Sequence, residues 1–284
     1  MNQQRIDRKL LLILVKYVWL LPILAGILIA AACLVPYIIC VYHGQVNPFL
    51  PYISDAGTQL PAAGYFSQIL DTIGVIIMVI FYIRYRQIDY YLITVTISNV
   101  EQTNNDDNNM EKQMTDGKMI DKKLLQRLHL RNIIALIASI VAGFCVISIG
   151  NFRASEYLTL HCISVLVMVI AHSILVIENI IISYHLNRLY KIENRPTSLI
   201  ILMNIAHLAA IMLAISSIMS WKQNRPFIMD NESRFHWPPN TNGYWWHITS
   251  TVSEYIYFTD AMIMFFIFGR RFYQFHQWDR VLLP

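Results

Sequence analysis

The stretch His43–Tyr65, HGQVNPFLPYISDAGTQLPAAGY, separates two long apolar runs and contains no Lys or Arg. It includes three prolines, Pro48, Pro51 and Pro61. Because each proline fixes φ and removes a hydrogen-bond donor, the stretch cannot be one regular helix. Its centre, Phe49–Ile53, is apolar and aromatic, and a turn-like Ser-Asp-Ala-Gly follows it. We expect this rigid, apolar loop to fold back over the ends of the neighbouring helices as a cap.

The runs on either side of this loop are the first two of six that could cross a bilayer. Hydrophobic residues make up 56% of the 284-residue chain, and charged residues make up only 14%. This composition is typical of a membrane protein. The six runs cover about 17–41, 64–83, 132–150, 157–184, 197–221 and 243–268. The sequence therefore predicts an all-α polytopic protein in which residues 1–284 form a single six-helix membrane domain.

Positive charge predicts the orientation of this domain. Six spans place both termini on the same side, and 18 of the 22 Lys and Arg residues fall in the termini and the loops on that side. Cytosolic segments carry such an excess, so both termini are predicted to be cytosolic and the loop 43–65 luminal. The sequon Asn231-Glu232-Ser233 falls in a loop on the predicted luminal side, which makes Asn231 a glycosylation candidate.

One segment differs from the rest of the domain in composition. Residues 101–117 are polar, almost free of large apolar side chains and centred on NNDDNN. Such a segment cannot bury enough apolar surface to fold by itself. We expect a disordered cytosolic linker between the second and third spans.

Ionisable side chains within spans are expensive in hydrocarbon unless they are partnered. Four of them lie on three spans, towards the predicted luminal side: Asp71, His161, His247 and Glu254. On a helix, His247 and Glu254 are only about 20° apart around the axis, because seven residues make nearly two full turns. We predict that these four side chains share a polar cavity that binds a ligand or senses pH. The alternative is that they only form hydrogen bonds that hold the bundle together.

The pH-sensing hypothesis has a defined sign. If a carboxylate lies close to His247, the folded-state pKa of the imidazole is raised and acid stabilises the protein. For catalysis, the sequence contains no HExxH, CxxC or G-x-S-x-G pattern. We therefore predict no catalytic residue, no metal and no cofactor.

Several motifs resemble those of one known family. VNPFLPYISDAGT closely resembles the first-loop signature of the damage-regulated autophagy modulator (DRAM) family. Further matches are YIRYRQ (Tyr82–Gln87), GNF (Gly150–Phe152), IIISY (Ile180–Tyr184) and the loop FHWPPNTNGYWWHITSTVSEY (Phe235–Tyr255). The first-loop signature residues are Asn47, Pro48, Phe49, Pro51, Tyr52, Ser54, Asp55 and Gly57. The resemblance covers nearly the whole chain and extends to a six-span superfamily that includes GPI-anchor remodelling factors.

The resemblance implies a multi-pass protein of lysosomal or late-endosomal membranes that modulates autophagy as a non-enzymatic regulator or scaffold. Two alternatives stay open: a lipid or small-molecule carrier with a luminal polar cavity, and an intramembrane lipid hydrolase. The expected partners are membrane lipids and proteins of the autophagy or sorting machinery, with no nucleic acid. An Asp-x-x-Leu-Leu pattern at Asp279–Leu283 resembles an endosomal sorting signal and supports the sorting partners.

Overall fold

A computed structural model describes residues 15–106 and 122–283 and contains six long helices joined by short ones. In chain order the elements are α1 (Leu20–Tyr42), α2 (Ile53–Ala56), α3 (Ala62–Asp106), α4 (Lys122–Asn151), α5 (Leu158–Tyr190), α6 (Thr197–Gln223), α7 (Arg225–Met229), α8 (Asn231–Phe235), α9 (Tyr244–Gln274) and α10 (Trp278–Leu282).

The six long helices coincide with the six predicted spans. Each of α1, α3, α4, α5, α6 and α9 contains a segment that is long and apolar enough to cross a membrane. Within α3 this segment is Ala62–Thr94. The predicted all-α class with six membrane helices is therefore confirmed, whereas the cytosolic location of the termini stays a prediction.

The helix that follows the first loop is longer than its apolar run. α3 continues to Asp106, six residues into the segment 101–117 that the sequence predicts to be a disordered linker. The remainder of that segment lies outside the described residues. A helix can continue past its hydrophobic stretch because the backbone satisfies its own hydrogen bonds, whether lipid or water surrounds it.

The long helices pack in an order that brings the two ends of the chain together. α1 packs against α3 and α9, α3 against α4, α4 against α5, and α6 against α9. The contact between α5 and α6 is much the slightest between consecutive long helices. Apolar side chains from all six long helices form the core, which includes Ile29, Ile73, Ile80 and Phe268.

α3 and α4 approach each other closely at two glycines. A Cβ added to Gly74 would lie 2.6 Å from the carbonyl oxygen of Gly143, and one added to Gly143 would lie 2.7 Å from that of Gly74. Two glycines facing each other thus let the two backbones touch, as is common where membrane helices associate through van der Waals packing.

Loops at the two ends of the bundle have different characters. At one end, which we call the capped end, the loops 43–61, 152–157 and 224–243 cover the helix ends. At the other end, the basic end, α10 packs against α3, and Arg86 donates a hydrogen bond to the Val281 carbonyl oxygen. The Asp279–Leu283 segment thus lies on the bundle, with Val281 buried.

Candidate functional site

The first loop forms the cap that its sequence predicts, but through Tyr52 and Ile53 rather than through its whole apolar centre. Ile53 is 1% exposed, and the Tyr52 hydroxyl donates a 2.6 Å hydrogen bond to Ser250 Oγ of α9. Ser250 Oγ in turn lies 2.7 Å from Ser217 Oγ of α6. Burial raises the pKa of Tyr52 to about 12, so its hydroxyl stays protonated and available as a donor.

The expectation that Phe49 packs on the helix ends is wrong. Its side chain is 59% exposed. Asn47 Oδ1 accepts a 2.9 Å hydrogen bond from the Phe49 backbone N–H, and Leu50 follows with φ of 48°. This turn directs the chain outwards at Phe49 before it returns to the bundle at Pro51, because a left-handed residue reverses the local path of the backbone.

Glu254 stabilises the short helix α2 from a distant part of the chain. The residue before α2, Tyr52, offers no side-chain oxygen to the free N–H groups at the helix start. Glu254 Oε2 accepts a 2.7 Å hydrogen bond from the Ile53 backbone N–H instead. A carboxylate at a helix N-terminus satisfies an unpaired donor and interacts favourably with the helix dipole. The loop is thereby fixed to the centre of α9.

A buried ion pair joins three loops at the capped end. Asp55 of α2 pairs with Arg234 of α8, and both side chains are at least nine-tenths buried. The Arg234 guanidinium also donates to the Ala154 carbonyl oxygen at 3.2 Å. Nearby, Arg153 donates to the Thr58 carbonyl oxygen at 3.2 Å. Burial alone would lower the pKa of Arg234, but the adjacent Asp55 carboxylate outweighs it and raises that pKa.

His247 lies beside this ion pair, between two aromatic rings. Its ring stacks on Trp237 with centroids 4.7 Å apart, and it meets the Tyr52 ring edge-on at 5.0 Å. Within the described ranges, none of the ion pairs includes His247. The condition for acid stabilisation through His247, a close carboxylate partner, is therefore not met. A pocket beside it has a volume of only about 10 Å³.

The other two predicted site residues, His161 and Asp71, contact residues at the end of α4 and in the loop that follows it. His161 Nδ1 is 2.9 Å from the Phe152 carbonyl oxygen, and Asp71 Oδ1 accepts a 2.7 Å hydrogen bond from Asn151. Each of the four side chains is thus engaged by a different neighbour. Their role in ligand binding or pH sensing stays a prediction.

The structure reveals a second buried charge cluster, at the basic end, that sequence reasoning did not find. Arg84 is fully buried, and its guanidinium lies 2.7 Å from Glu193 Oε2 and donates to Gln87 Oε1 at 2.6 Å. Arg271 joins the cluster by donating to Ser183 Oγ at 3.0 Å, a hydroxyl that also accepts from Arg84 at 3.3 Å. Burial would raise the pKa of Glu193, but the two guanidinium groups lower it below its usual range.

A signal for this cluster was present in the sequence. Arg84 occurs within the YIRYRQ motif, at the end of an apolar run, where a positive charge is usually assigned to the headgroup region. Glu193 is the only acidic residue in the short loop after α5. Neither observation indicates that the two residues meet, because they are 109 positions apart in the chain.

Two further predictions concern modification and metal binding. The Asn231 backbone begins α8, and the surroundings of its side chain lie outside what the structure describes. Through residues 15–106 and 122–283, no group of three His, Cys, Asp or Glu side chains is arranged to hold a metal ion.

The centre of the bundle contains an apolar cavity of about 80 Å³. Side chains of α1, α3, α4, α5 and α9 line it, and its surface consists of apolar atoms. The hydrogen-bonded pair His172 and Tyr257 forms part of one wall, with 3.0 Å between the Tyr257 hydroxyl and His172 Nδ1.

Comparison with known proteins agrees with the motifs of the first and last loops. The chain is similar to DNA damage-regulated autophagy modulator protein 2 of Bos taurus, at 23% identity over 83% of this chain and 76% of that protein. It is 23% identical to DNA damage-regulated autophagy modulator protein 1 of Xenopus laevis over 89% of each chain. A shorter segment, 20% of this chain, is 40% identical to 24% of the Homo sapiens protein 1. No solved structure matches the chain.

A protein-family model described as Frag1/DRAM/Sfk1/Cwh43P N-terminal domain matches residues 17–275. The match begins just before α1 and ends just after α9, so it includes all six membrane helices, the cap loop and both buried charge clusters. The chain belongs to the Frag1/DRAM/Sfk1/Cwh43P family.

Proposed function

We propose that this protein is a regulator of autophagy in lysosomal or late-endosomal membranes, acting without catalysis. The names of its relatives support the link to autophagy. We favour a regulator because polar side chains at the capped end are engaged by other parts of the same chain. Asp55, Tyr52 and Glu254 each bind another part of the same chain.

A carrier of polar molecules or a hydrolase requires a site that a polar substrate can enter. The pocket beside His247 is about 10 Å³. A cavity of roughly 10–15 Å³ holds about one water molecule. The capped end in this conformation therefore favours a rigid recognition surface over a substrate site.

In this membrane, the capped end would face the lumen. The excess of Lys and Arg at the opposite end supports this orientation. The surface that the cap loop presents, with exposed Phe49 next to a buried ion pair, would then face the organelle lumen. Proteins of the autophagy or sorting machinery would meet the basic end, where α10 lies.

Autophagic flux in cells that lack the protein tests this proposal. We expect deletion to change the flux and the wild-type chain to restore it. Asp55→Asn, which leaves Arg234 without its ion-pair partner, should restore less than wild type when both are present at equal levels. Glu156→Gln is the matched control, because Glu156 pairs with Arg153 at the surface of the same end.

Two outcomes would contradict the proposal. Flux could be unchanged in the deleted cells, which would remove the autophagy role. Alternatively, purified protein in liposomes could transport or cleave a lipid at a rate that Asp55→Asn abolishes, which would make the capped end a carrier or enzyme site.

A further inference from the structure

The central cavity lies where water is scarce and acyl chains are abundant. It lies between the middle turns of five membrane helices, and its surface is apolar. Apolar cavities in proteins stay free of water and accept apolar molecules that fit them. An empty cavity would also leave its lining side chains without dispersion contacts on one side, which is unfavourable.

The shape of the cavity selects among apolar occupants. Its lining residues on α3 extend from Leu70 to Phe81, which corresponds to about 16 Å along the helix axis at 1.5 Å per residue. A volume of about 80 Å³ holds only a few methylene groups. The end of one flexible hydrocarbon chain fits this space, whereas a rigid fused-ring sterol is too large for it.

A lateral path leads from the bilayer towards the cavity. α5 and α6 touch only slightly, and a small crevice of about 10 Å³ lies between them, lined by Val169, Ser173, Met203 and His207. His172 and Tyr257 line both this crevice and the central cavity. Their side chains form the partition between the two spaces.

The partition is held by polar contacts within an apolar wall. The Tyr257 hydroxyl lies 3.0 Å from His172 Nδ1, and His172 Nε2 lies 3.4 Å from the Met264 sulfur atom. A rotation of either ring would break the hydrogen bond between them and would move a side chain that separates the crevice from the cavity. A polar pair in the middle of a membrane bundle is costly unless it has a role, which makes this pair a candidate gate.

We propose that the central cavity binds the end of one acyl chain of a membrane lipid, which enters between α5 and α6 past the His172–Tyr257 pair. The lipid headgroup and the rest of the chain stay in the bilayer, and only the chain end is taken up. This site is distinct from the capped end, and the proposal does not depend on the role in autophagy.

Photo-crosslinking in vesicles tests the site directly. The probe is a phosphatidylcholine that carries a diazirine near the terminal methyl group of one acyl chain, diluted into ordinary phosphatidylcholine vesicles containing the full-length protein. After irradiation, peptide mass spectrometry identifies the labelled residues. We expect labels on Ile77 and Ala142, which are 8% and 5% exposed and line the cavity, in addition to labels on outward-facing residues.

A cavity-filling variant separates binding in the cavity from contact with surrounding lipid. In Ala142→Leu, labelling of Ile77 should fall by about tenfold, because the added side chain occupies the space of the acyl chain. The matched control is Ala214→Leu on the exposed surface of α6, which should label as wild type does. Tyr257→Phe removes the hydrogen bond to His172 and should shorten the time needed to label Ile77.

The results that would overturn the proposal are specific. Labels confined to outward-facing residues of the wild-type protein would show that no acyl chain enters. Unchanged labelling of Ile77 in Ala142→Leu would place the probe elsewhere. If Ala142→Leu does not fold, Ala261→Leu fills the same cavity from α9 and must give the same loss. Displacement of the probe by cholesterol rather than by unlabelled phosphatidylcholine would assign the site to a sterol.

Discussion

At the residue scale, the Asp55–Arg234 pair is a buried contact between opposite charges at the capped end. Both side chains are buried, so removal of one leaves the other as an uncompensated charge. Such a loss typically costs about 3–5 kcal/mol. We expect Asp55→Asn to lower the free energy of unfolding by that amount, measured by titration with denaturing detergent in mixed micelles.

The surface pair Arg153–Glu156 provides the comparison for Asp55→Asn. Glu156 is 47% exposed, and exposed ion pairs contribute only about 0–1 kcal/mol. Glu156→Gln should therefore unfold almost as wild type does. Equal losses in the two variants would mean that burial does not distinguish the pairs, and that Asp55 does not hold the loops together.

At the basic end, Glu193 should make stability depend on pH. Burial alone would raise the pKa of Glu193. The guanidinium groups of Arg84 and Arg271 outweigh burial and lower this pKa in the folded protein. A carboxylate with a depressed pKa stabilises the protein fully above its unfolded value near ~4.3, and this contribution fades as pH falls through the folded value. Glu193→Gln should thus be less stable than wild type at pH 7 by about 3–5 kcal/mol.

The difference between wild type and Glu193→Gln should narrow as the pH is lowered below about 4.3, because the wild-type carboxylate then becomes neutral. Unfolding titrations across that range test the sign of the effect. A gap that stays constant with pH would show that Glu193 contributes by shape and hydrogen bonding, and that its charge is not needed beside the two arginines.

The sequence located several of these residues but not their partners. Asp55 was identified within a turn-like stretch and as a residue of the first-loop signature, and its partner is Arg234, 179 positions later. Glu254 was identified as an ionisable residue of a span on the same helix face as His247, yet its partner is a backbone N–H of the cap loop. Helical periodicity reports which face a residue occupies, whereas the partner depends on how distant loops pack.

At the scale of the element, the cap loop divides into an anchored part and a solvated part. Tyr52 contacts His247 and donates to Ser250, so Tyr52→Ala should cost about 3–5 kcal/mol, as for other buried aromatic side chains. Phe49→Ala, in contrast, should change stability by less than about 0.5 kcal/mol, because most of the Phe49 ring is already exposed.

Thermal unfolding of the two variants in one detergent measures this contrast. Tyr52→Phe adds a finer comparison, since it keeps the ring and removes only the hydrogen bond to Ser250, for which we expect a loss of about 0.5–1.5 kcal/mol. A large loss in Phe49→Ala would indicate that the apolar centre of the loop packs as a unit.

The contact between α3 and α4 depends on two glycines that lack a Cβ. In Gly74→Ala, the new methyl group would lie 2.6 Å from the Gly143 carbonyl oxygen, so the helices must separate. Overpacking of this kind costs about 1–3 kcal/mol. Gly64, at the start of the same helix, has no atom within 4 Å of an added Cβ.

Gly64→Ala is therefore the control for Gly74→Ala. It should leave stability unchanged or raise it by up to about 0.5–1 kcal/mol, because alanine loses less backbone entropy than glycine in a helix. Titration of both variants with denaturing detergent shows whether close packing or helix propensity determines the change in stability at each glycine. A gain in Gly74→Ala would mean that the two backbones do not approach as closely as the structure places them.

At the scale of the whole molecule, hydrophobicity alone predicted the number of membrane helices. It could not predict how they are arranged, because all six runs are similarly apolar and lipid does not favour one neighbour over another. The order of packing follows from particular contacts, such as those of Gly74 with Gly143 and of Glu254 with the cap loop. Sequence patterns also could not predict the central cavity, because side chains of five different helices line it.

Orientation in the membrane is the prediction that decides which compartment each end meets. The basic end should be cytosolic and the capped end luminal, since the sequence assigns 18 of the 22 Lys and Arg residues to the segments outside the six apolar runs on the side of the termini. In sealed vesicles from the endoplasmic reticulum, an epitope tag inserted at Asn108 should be digested by protease added outside. A tag at Asn240, an exposed position in the capped end, should be protected until detergent is added.

If Asn231 carries a glycan, Asn231→Gln should remove its mass and give a second readout of the same orientation. Protection of the Asn108 tag in intact vesicles would reverse the topology, and with it the assignment of the capped end to the lumen.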